Sequence, residues 1–432
     1  MAVRGARQVS RTARRAPARL SAAPPRGPRG PLERVSRRLF HRVLRGLRTG
    51  SVELTEAWSG ERLELGNGAP MVPVEIRSPQ AYVELARRRS VGMGLSYAAG
   101  MWETDDLVAL CRLAAREVRR GDRARRRIAP LARPLRSMRN LRVLNTRAGA
   151  ARNILAHYDL GNDLFELFLD RDSMMYSSAV FEHEDVSLEE AQEVRLERVC
   201  RRLELVGDDH LLEIGSGWGG MAVHAASRCG CRVTTTTISR EQREYAEARV
   251  RAAGLEDRVT VLGSDYRDLT GTYDKLVSLE MIEAVGWQYF GVFFEKCSAL
   301  LEPHGLMFLQ AIALEDSAYE AERGARTFAN QLIFPGGSLP SLEVIQHHVA
   351  RNTDMRTIWL DDISPSYVVT LRQWRERFEG ATEQLEELGY DEPFRRLWRL
   401  WLALSEAGFR EARLRDLQIV TAKPRWTGRP LG

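Results

Sequence analysis

From position 210 onward, short runs of apolar residues alternate with longer stretches in which apolar side chains return every three or four positions. Short buried strands separated by amphipathic helices predict a doubly wound α/β sheet of the Rossmann-like kind. Strands are expected at His210–Ile214, Arg232–Thr237, Val259–Leu262, Lys275–Leu279 and Leu306–Ile312. Nearer the start, Val35, Leu39, Phe40, Val43, Leu44 and Leu47 recur at helical spacing, with Arg37, Arg38, Arg42 and Arg45 between them. Such a basic amphipathic helix can lie on a membrane or open a domain core, and the pattern leaves both open. Between 50 and about 120, short apolar runs broken by Gly and Pro lead into a helical stretch ending at Arg89, with Ser78 as its cap and Pro79 in its first turn. A small α+β domain is expected there. The resulting organisation is a flexible Arg/Pro-rich arm over 1–31, a smaller domain over 32–120, a basic linker over 121–152 and the α/β domain over 153–425.

Charge changes this picture, because the net +6 is unevenly placed. Residues 1–50 hold fourteen arginines against Glu33, and residues 112–152 hold fourteen against Glu117 and Asp122. Two such segments favour a polyanion, either nucleic acid or anionic headgroups, although a solvated arm and helix face would show the same composition. An Arg-rich, acid-poor start also resembles a transit peptide. Yet 61 arginines against three lysines is a bias of the whole chain. A nucleic-acid methyltransferase would carry an Asn/Asp-Pro-Pro-Tyr/Phe motif, and none is present. No stretch reaches the roughly 18 apolar residues of a spanning helix, and no secretory signal opens the chain. Five cysteines form neither an even framework nor a paired metal pattern, which fits free thiols, no bound metal and a reducing cytoplasm.

Candidate chemistry begins at Leu211-Leu-Glu-Ile-Gly-Ser-Gly-Trp-Gly-Gly220, a strand entering a glycine-rich turn that opens a helix. Gly215, Gly217 and Gly219 let a nucleotide approach the backbone at a strand's carboxyl end. A nicotinamide site would place an acid at the end of the second strand, but Thr235-Thr-Thr-Ile-Ser239 stands there, offering Thr237, Ile238 and Gln242. Glu213 precedes the glycines, as the acid does in methyltransferase first motifs. Asp265 and Tyr266 follow the third strand, where an acid and a ring suit an adenine. Three elements at three successive strand ends point to a methyltransferase using S-adenosylmethionine.

Further stretches carry a resemblance: His157-Tyr-Asp-Leu-Gly-Asn-Asp-Leu-Phe165, Met175-Tyr-Ser-Ser-Ala-Val-Phe181, Glu280-Met-Ile-Glu-Ala-Val-Gly286, Ile333-Phe-Pro-Gly-Gly337, and Tyr367 leading into Thr370-Leu-Arg-Gln-Trp-Arg-Glu-Arg-Phe378. From about His157 to Gln418 the chain resembles the cyclopropane fatty-acid synthase family, and Ser96-Tyr-Ala-Ala-Gly-Met-Trp102 resembles part of that family's lipid-associated amino-terminal domain. The resemblance implies a class I S-adenosylmethionine-dependent methyltransferase fold. It also implies methyl transfer to the cis double bond of unsaturated phospholipid acyl chains in anionic membranes, at the inner leaflet, by a peripherally associated protein. A cyclopropane product is expected, with a methylene- or methyl-branched chain as the alternative; a homodimer is left open.

The alkene attacks a sulfonium methyl, and the resulting cation needs aromatic faces, a base and a dry site. Tyr176, Phe181, Tyr266, Phe334 and Tyr367 are the aromatic candidates, and Tyr176 with Ser177 is also expected at the cofactor. The resemblance further implies a bicarbonate base held by the Glu283 carboxylate, the Tyr367 hydroxyl and the Ile312 backbone. The sequence departs from the better-known bacterial pattern at Ser178, Ala284 and Gln310, which replace a cysteine and two histidines. Ser178 and Gln310 can still hydrogen-bond an anion.

Overall fold

The computed structural model describes residues 26–122 and 160–428. The arm up to residue 25, most of the basic linker and the start of the His157 motif lie outside the described residues.

Helix α1 (Pro31–Arg45) begins with proline in its first turn, and the Glu33 carboxylate accepts from the Gly30 amide at 3.1 Å. Four strands follow around it: β1 (Gly50–Glu56), β2 (Glu61–Asn67), β3 (Met71–Ile76) and β4 (Trp102–Glu103), in the order β2-β1-β3-β4. Val52 and Leu54 of β1 face the core, as the period of two requires. Helix α2 (Gln80–Ala98) runs past the expected end at Arg89, which is kinked with φ 53° and ψ −125°. The Ser78 hydroxyl accepts from the Gln80 amide at 3.3 Å.

The second unit starts with α3 (Leu188–Arg202), opened by a reciprocal cap between Ser187 and Glu190. Its sheet runs β5 (His210–Ile214), α4 (Gly220–Cys229), β6 (Arg232–Thr236), α5 (Arg240–Ala252), β7 (Val259–Leu262), β8 (Tyr273–Leu279), α6 (Phe290–Ala299) and β9 (Leu301–Leu314). After α7 (Leu342–Asn352) come β10 (Arg356–Asp362), α8 (Ser364–Gly380), α9 (Glu392–Arg410) and β11 (Leu414–Ala422). The strand order is β10-β11-β9-β8-β5-β6-β7; β5 to β9 are parallel, and β11 is antiparallel to both its neighbours. This is a doubly wound methyltransferase sheet with an antiparallel edge. It puts the ends of β5, β6 and β8 side by side at its centre.

The two units share one core. Arg396 of α9 donates to the carbonyls of Tyr97 (2.7 Å) and Trp102 (3.1 Å), pairs with Glu103 at 2.6 Å, and lies 4.1 Å from the centre of the Tyr97 ring. The Ser96-to-Trp102 stretch therefore docks on α9. Among the described residues, no helix is long and apolar enough to cross a membrane.

Candidate active site

The glycine-rich turn after β5 is tied down by the amides of Gly215 and Ser216, both donating to the Thr236 carbonyl at 3.0 Å. Gly215 and Gly217 have φ of 101° and 48°, and a side chain at Gly217 would meet nothing within 4 Å. That bare backbone forms one wall of a cleft. Of the expected cofactor residues, Tyr176, Ser177, Gly215, Gly217, Thr237, Ile238, Gln242, Asp265 and Tyr266 line it. Thr237 and Gln242 are joined by a 3.0 Å hydrogen bond, and the Asp265 carboxylate is clamped by the Arg267 guanidinium at 2.8 and 2.6 Å. The hydroxyls of Ser177 and Tyr266 are buried in the wall with no hydrogen-bond partner among the described residues. A polar, flat-ringed adenosyl group suits these walls: bare backbone for close approach, unsatisfied hydroxyls for its polar atoms, and the Tyr266 ring beside them.

Two expected ligands are not part of the lining. Glu213 is buried within β5, where its carboxyl accepts from the Thr235 hydroxyl of β6 at 2.6 Å, and burial pushes its pKa up to about 8. It braces the first two strands from inside the sheet. Gly219, with φ 86°, caps α4, and a side chain there would come within 3.1 Å of Ala246. Its role is to let α5 pack close.

The base site also departs from expectation. Tyr367 does not meet Glu283: its hydroxyl donates to Oε2 of Glu280 at 2.7 Å. Oε1 of Glu280 accepts from the Ser178 amide and from Gln310 Nε2, both at 2.8 Å. The Ser178 hydroxyl turns instead to the Ala179 carbonyl, so serine acts through its backbone. Glu283 accepts one hydrogen bond, from the Ile312 amide at 2.6 Å, and its other oxygen has no partner among the described residues. Glu280 lines the cleft, whereas Glu283 does not.

Glu280 also sits at φ 50°, just past the end of β8. That region is unfavourable to any residue with a Cβ, at about 1 kcal/mol or more, so the strain marks a position held by its surroundings. Those surroundings include Asp416, fully buried beside Gln310 (3.1 Å), and the fully buried Arg195. Arg195 donates through Nε to Gln192 at 2.9 Å, while its terminal nitrogens have no partner among the described residues.

Burial raises the pKa of each of these carboxyls. Glu283, whose rise is reinforced by the charge of Glu280, reaches about 8; Asp416 is pushed well above the usual range by burial and by the charges of Glu280 and Glu283. For Glu280, burial is opposed by hydrogen bonds from Tyr367, Ser178 and Gln310 and by the charge of Arg195, leaving a net upward shift. Donors that favour an ionised carboxyl are concentrated on Glu280, whereas Glu283 has the single Ile312 amide, so hydrogen bonding offsets the cost of burial more at Glu280 than at Glu283. A bicarbonate does not fit this arrangement. Tyr367, the Ser178 amide and Gln310 already hold the Glu280 carboxylate, and the Ile312 amide holds Glu283, so the protein's own side chain fills the cradle.

The aromatic candidates divide. Tyr176 stacks with Phe334 at 6.3 Å and tilts against Trp374 at 5.3 Å, while Tyr367 packs on Phe409 at 4.4 Å. Phe181 is packed at the edge of the core, its amide donating to the Ser366 hydroxyl at 3.0 Å.

The sequence profile of mycolic acid cyclopropane synthetases matches residues 145–419. The chain belongs to that family. It is 37% identical over 403 residues to a tuberculostearic acid methyltransferase of Mycobacterium tuberculosis, covering 90% of this chain and 91% of the relative. It is 31% identical over 357 residues to the cyclopropane-fatty-acyl-phospholipid synthase of Escherichia coli K12, covering 82% and 87%. A mycolic acid cyclopropane synthase solved with S-adenosylhomocysteine and CTAB superposes with a TM-score of 0.59 at 28% identity, over 63% of this chain and 98% of that one. As a member, the protein is a methyltransferase that uses S-adenosylmethionine and modifies lipid, and the glycine-walled cleft is where the residues expected to bind that cofactor converge.

Glu280, Asp416 and Arg195 were not among the expected site residues. Glu280 stood within the matched Glu280-to-Gly286 stretch, where an acid at a strand end three residues before another is a readable signal. Arg195 and Asp416 carry no such mark.

Proposed function

We propose that the protein methylates the cis double bond of unsaturated phospholipid acyl chains, with Glu280 as the base that removes the proton from the cationic product. Bound in the cleft, S-adenosylmethionine supplies an electrophilic methyl, which the double bond attacks as the carbon–sulfur bond breaks, leaving a carbocation on the acyl chain. The observation that carries the reading is the strained carboxylate of Glu280, on the cleft wall and held by three donors. Tyr367, Gln310 and the Ser178 amide aim it and oppose the rise in its pKa that burial causes. Tyr176, on the cleft wall and stacked on Phe334, is the ring placed to stabilise the cation. Met175, Ile214, Trp218 and Met281 keep the wall apolar, which denies the cation a trapping water.

Two products remain, and each has its support. A methylene-branched chain, formed when a hydride shifts before the transferred carbon loses its proton, is favoured by the 37% identity to the tuberculostearic acid methyltransferase across nine-tenths of the chain. A cyclopropane, closed when Glu280 takes a proton from the transferred carbon itself, is supported by the 31% identity to the Escherichia coli synthase. We take the branched chain as the leading reading. The test is proton NMR of acyl methyl esters recovered after incubation with S-adenosylmethionine and oleoyl phosphatidylglycerol. Vinylidene signals bear it out; upfield ring protons select the cyclopropane, and no product from any unsaturated lipid overturns both.

A further inference from the structure

Helix α1 has two apolar faces, and the fold uses only one. Its inner side packs Phe40 and Leu44 on the core, buries Ser36 and His41, and pairs Arg37 with Glu56 at 2.6 Å. On its outer side Leu32, Val35, Leu39 and Val43 are exposed by 52, 60, 50 and 59%, four of the nine large apolar side chains so exposed among the described residues. At 100° per residue these four fall within about 80° of one another, a continuous stripe. Arg34, Arg38, Arg42 and Arg45, all exposed, occupy the adjoining sector of about 80°. The helix's one acid, Glu33, falls outside the arginine sector and is turned to the amides of Arg29 (2.7 Å) and Gly30 (3.1 Å), so it leaves the arginine row unpaired on the helix itself.

We infer that the outer face of α1 is a docking surface for an anionic phospholipid bilayer, with the helix lying in the interface plane. The inference rests on the phospholipid-substrate reading above and identifies where the protein meets that substrate's membrane. An apolar stripe edged with arginines matches both layers of such a surface: the stripe enters the acyl boundary, and the guanidiniums reach headgroup phosphates. A polyanion without an apolar layer, such as nucleic acid, would leave the stripe in water. A second copy pairing through the same face would bring two arginine rows together with no acid between them.

The test is co-sedimentation of the full-length protein with vesicles of phosphatidylcholine, with and without phosphatidylglycerol. Three proteins are compared: wild type, Leu39→Gln/Val43→Gln and Arg38→Gln/Arg42→Gln. The four substitutions leave the inward-facing Phe40 and Leu44 in place, and cofactor affinity checks that each variant is folded. Wild type is expected to bind the anionic vesicles and to release with salt. The apolar variant should bind about ten-fold more weakly, and the arginine variant about five-fold more weakly per charge removed. Both variants should still methylate detergent-dispersed phospholipid at the wild-type rate. Equal binding to neutral and anionic vesicles, undiminished binding by Leu39→Gln/Val43→Gln, or a wild-type dimer that this variant dissolves would each overturn the surface. Vesicle binding by wild type with no methylation of any unsaturated lipid, dispersed or bilayer, would instead overturn the substrate reading.

Discussion

Replacing Glu280 by glutamine removes a charge and a base while leaving the shape. The amide oxygen of Glu280→Gln can accept from the Ser178 amide and Gln310 Nε2, as Oε1 does at 2.8 Å from each. Its nitrogen can donate to the Tyr367 hydroxyl, which turns to accept in place of the present 2.7 Å donation. The buried Tyr367 O–H then lacks its present acceptor, at about 1–3 kcal/mol, while one titratable group is withdrawn from a buried cluster of carboxyls, so the protein should still fold with a modest loss of stability. What is lost is proton acceptance at the cation, for which a positioned base contributes about 10²- to 10⁴-fold, or about 3–5 kcal/mol of barrier. The assay is transfer of labelled methyl to phospholipid, paired with calorimetric titration of S-adenosylhomocysteine. Turnover should fall by that factor with cofactor affinity unchanged. A Glu280→Gln enzyme within about three-fold of wild type would refute the assignment of the base.

The remaining predictions follow from the same geometry. Glu280→Gly relieves the strained φ of 50° and empties the cradle, so its lost activity should return on adding bicarbonate or formate, measured as dose-dependent label transfer; no rescue would separate the cradle from anion binding. Glu283 folds with a pKa near 8 against the ordinary 4.5, so the folded state holds a proton that the unfolded state releases. Its stabilising effect is therefore fully present below pH 4.5 and is lost as pH rises to 8; urea unfolding at pH 5 and 8 should show Glu283→Gln reducing that loss, by at most about 4 kcal/mol. Gly217→Val puts a branched side chain at φ 48° in the cofactor wall and should weaken S-adenosylhomocysteine binding by about ten-fold or more in calorimetry, with the unfolding temperature lowered by the backbone strain of about 1 kcal/mol or more. Arg396→Met leaves the Tyr97 and Trp102 carbonyls and Glu103 without their shared donor and should destabilise the protein by about 3 kcal/mol or more in thermal unfolding.

Much of the α/β sheet was legible because strands buried on both faces are written as apolar runs: β5 and β7 begin and end where the runs do. The two antiparallel strands at the other edge were not. β11 carries Asp416 and Gln418 in a fully buried stretch, polar residues whose partners lie a hundred positions away, and β10 has only half-buried and exposed positions with no regular alternation. Helix α1 showed its period, but period alone does not say which of two apolar faces the core takes. The cofactor wall was readable because backbone approach demands glycine. The cluster around Glu280 was not, since Ser178, Glu280, Gln310 and Tyr367 meet only through the fold, and no spacing rule joins positions almost two hundred residues apart. Choosing Glu283 over Glu280 followed the resemblance; it is the carboxylate at 280 that Tyr367, the Ser178 amide and Gln310 meet.

The most direct test of the account gives the purified protein labelled S-adenosylmethionine and, side by side, vesicles of monounsaturated and fully saturated phosphatidylglycerol. Label in the acyl chains of the first and none in the second is the predicted result. Equal label in both, or label in neither while the cofactor binds, would contradict methyl transfer to an acyl-chain double bond.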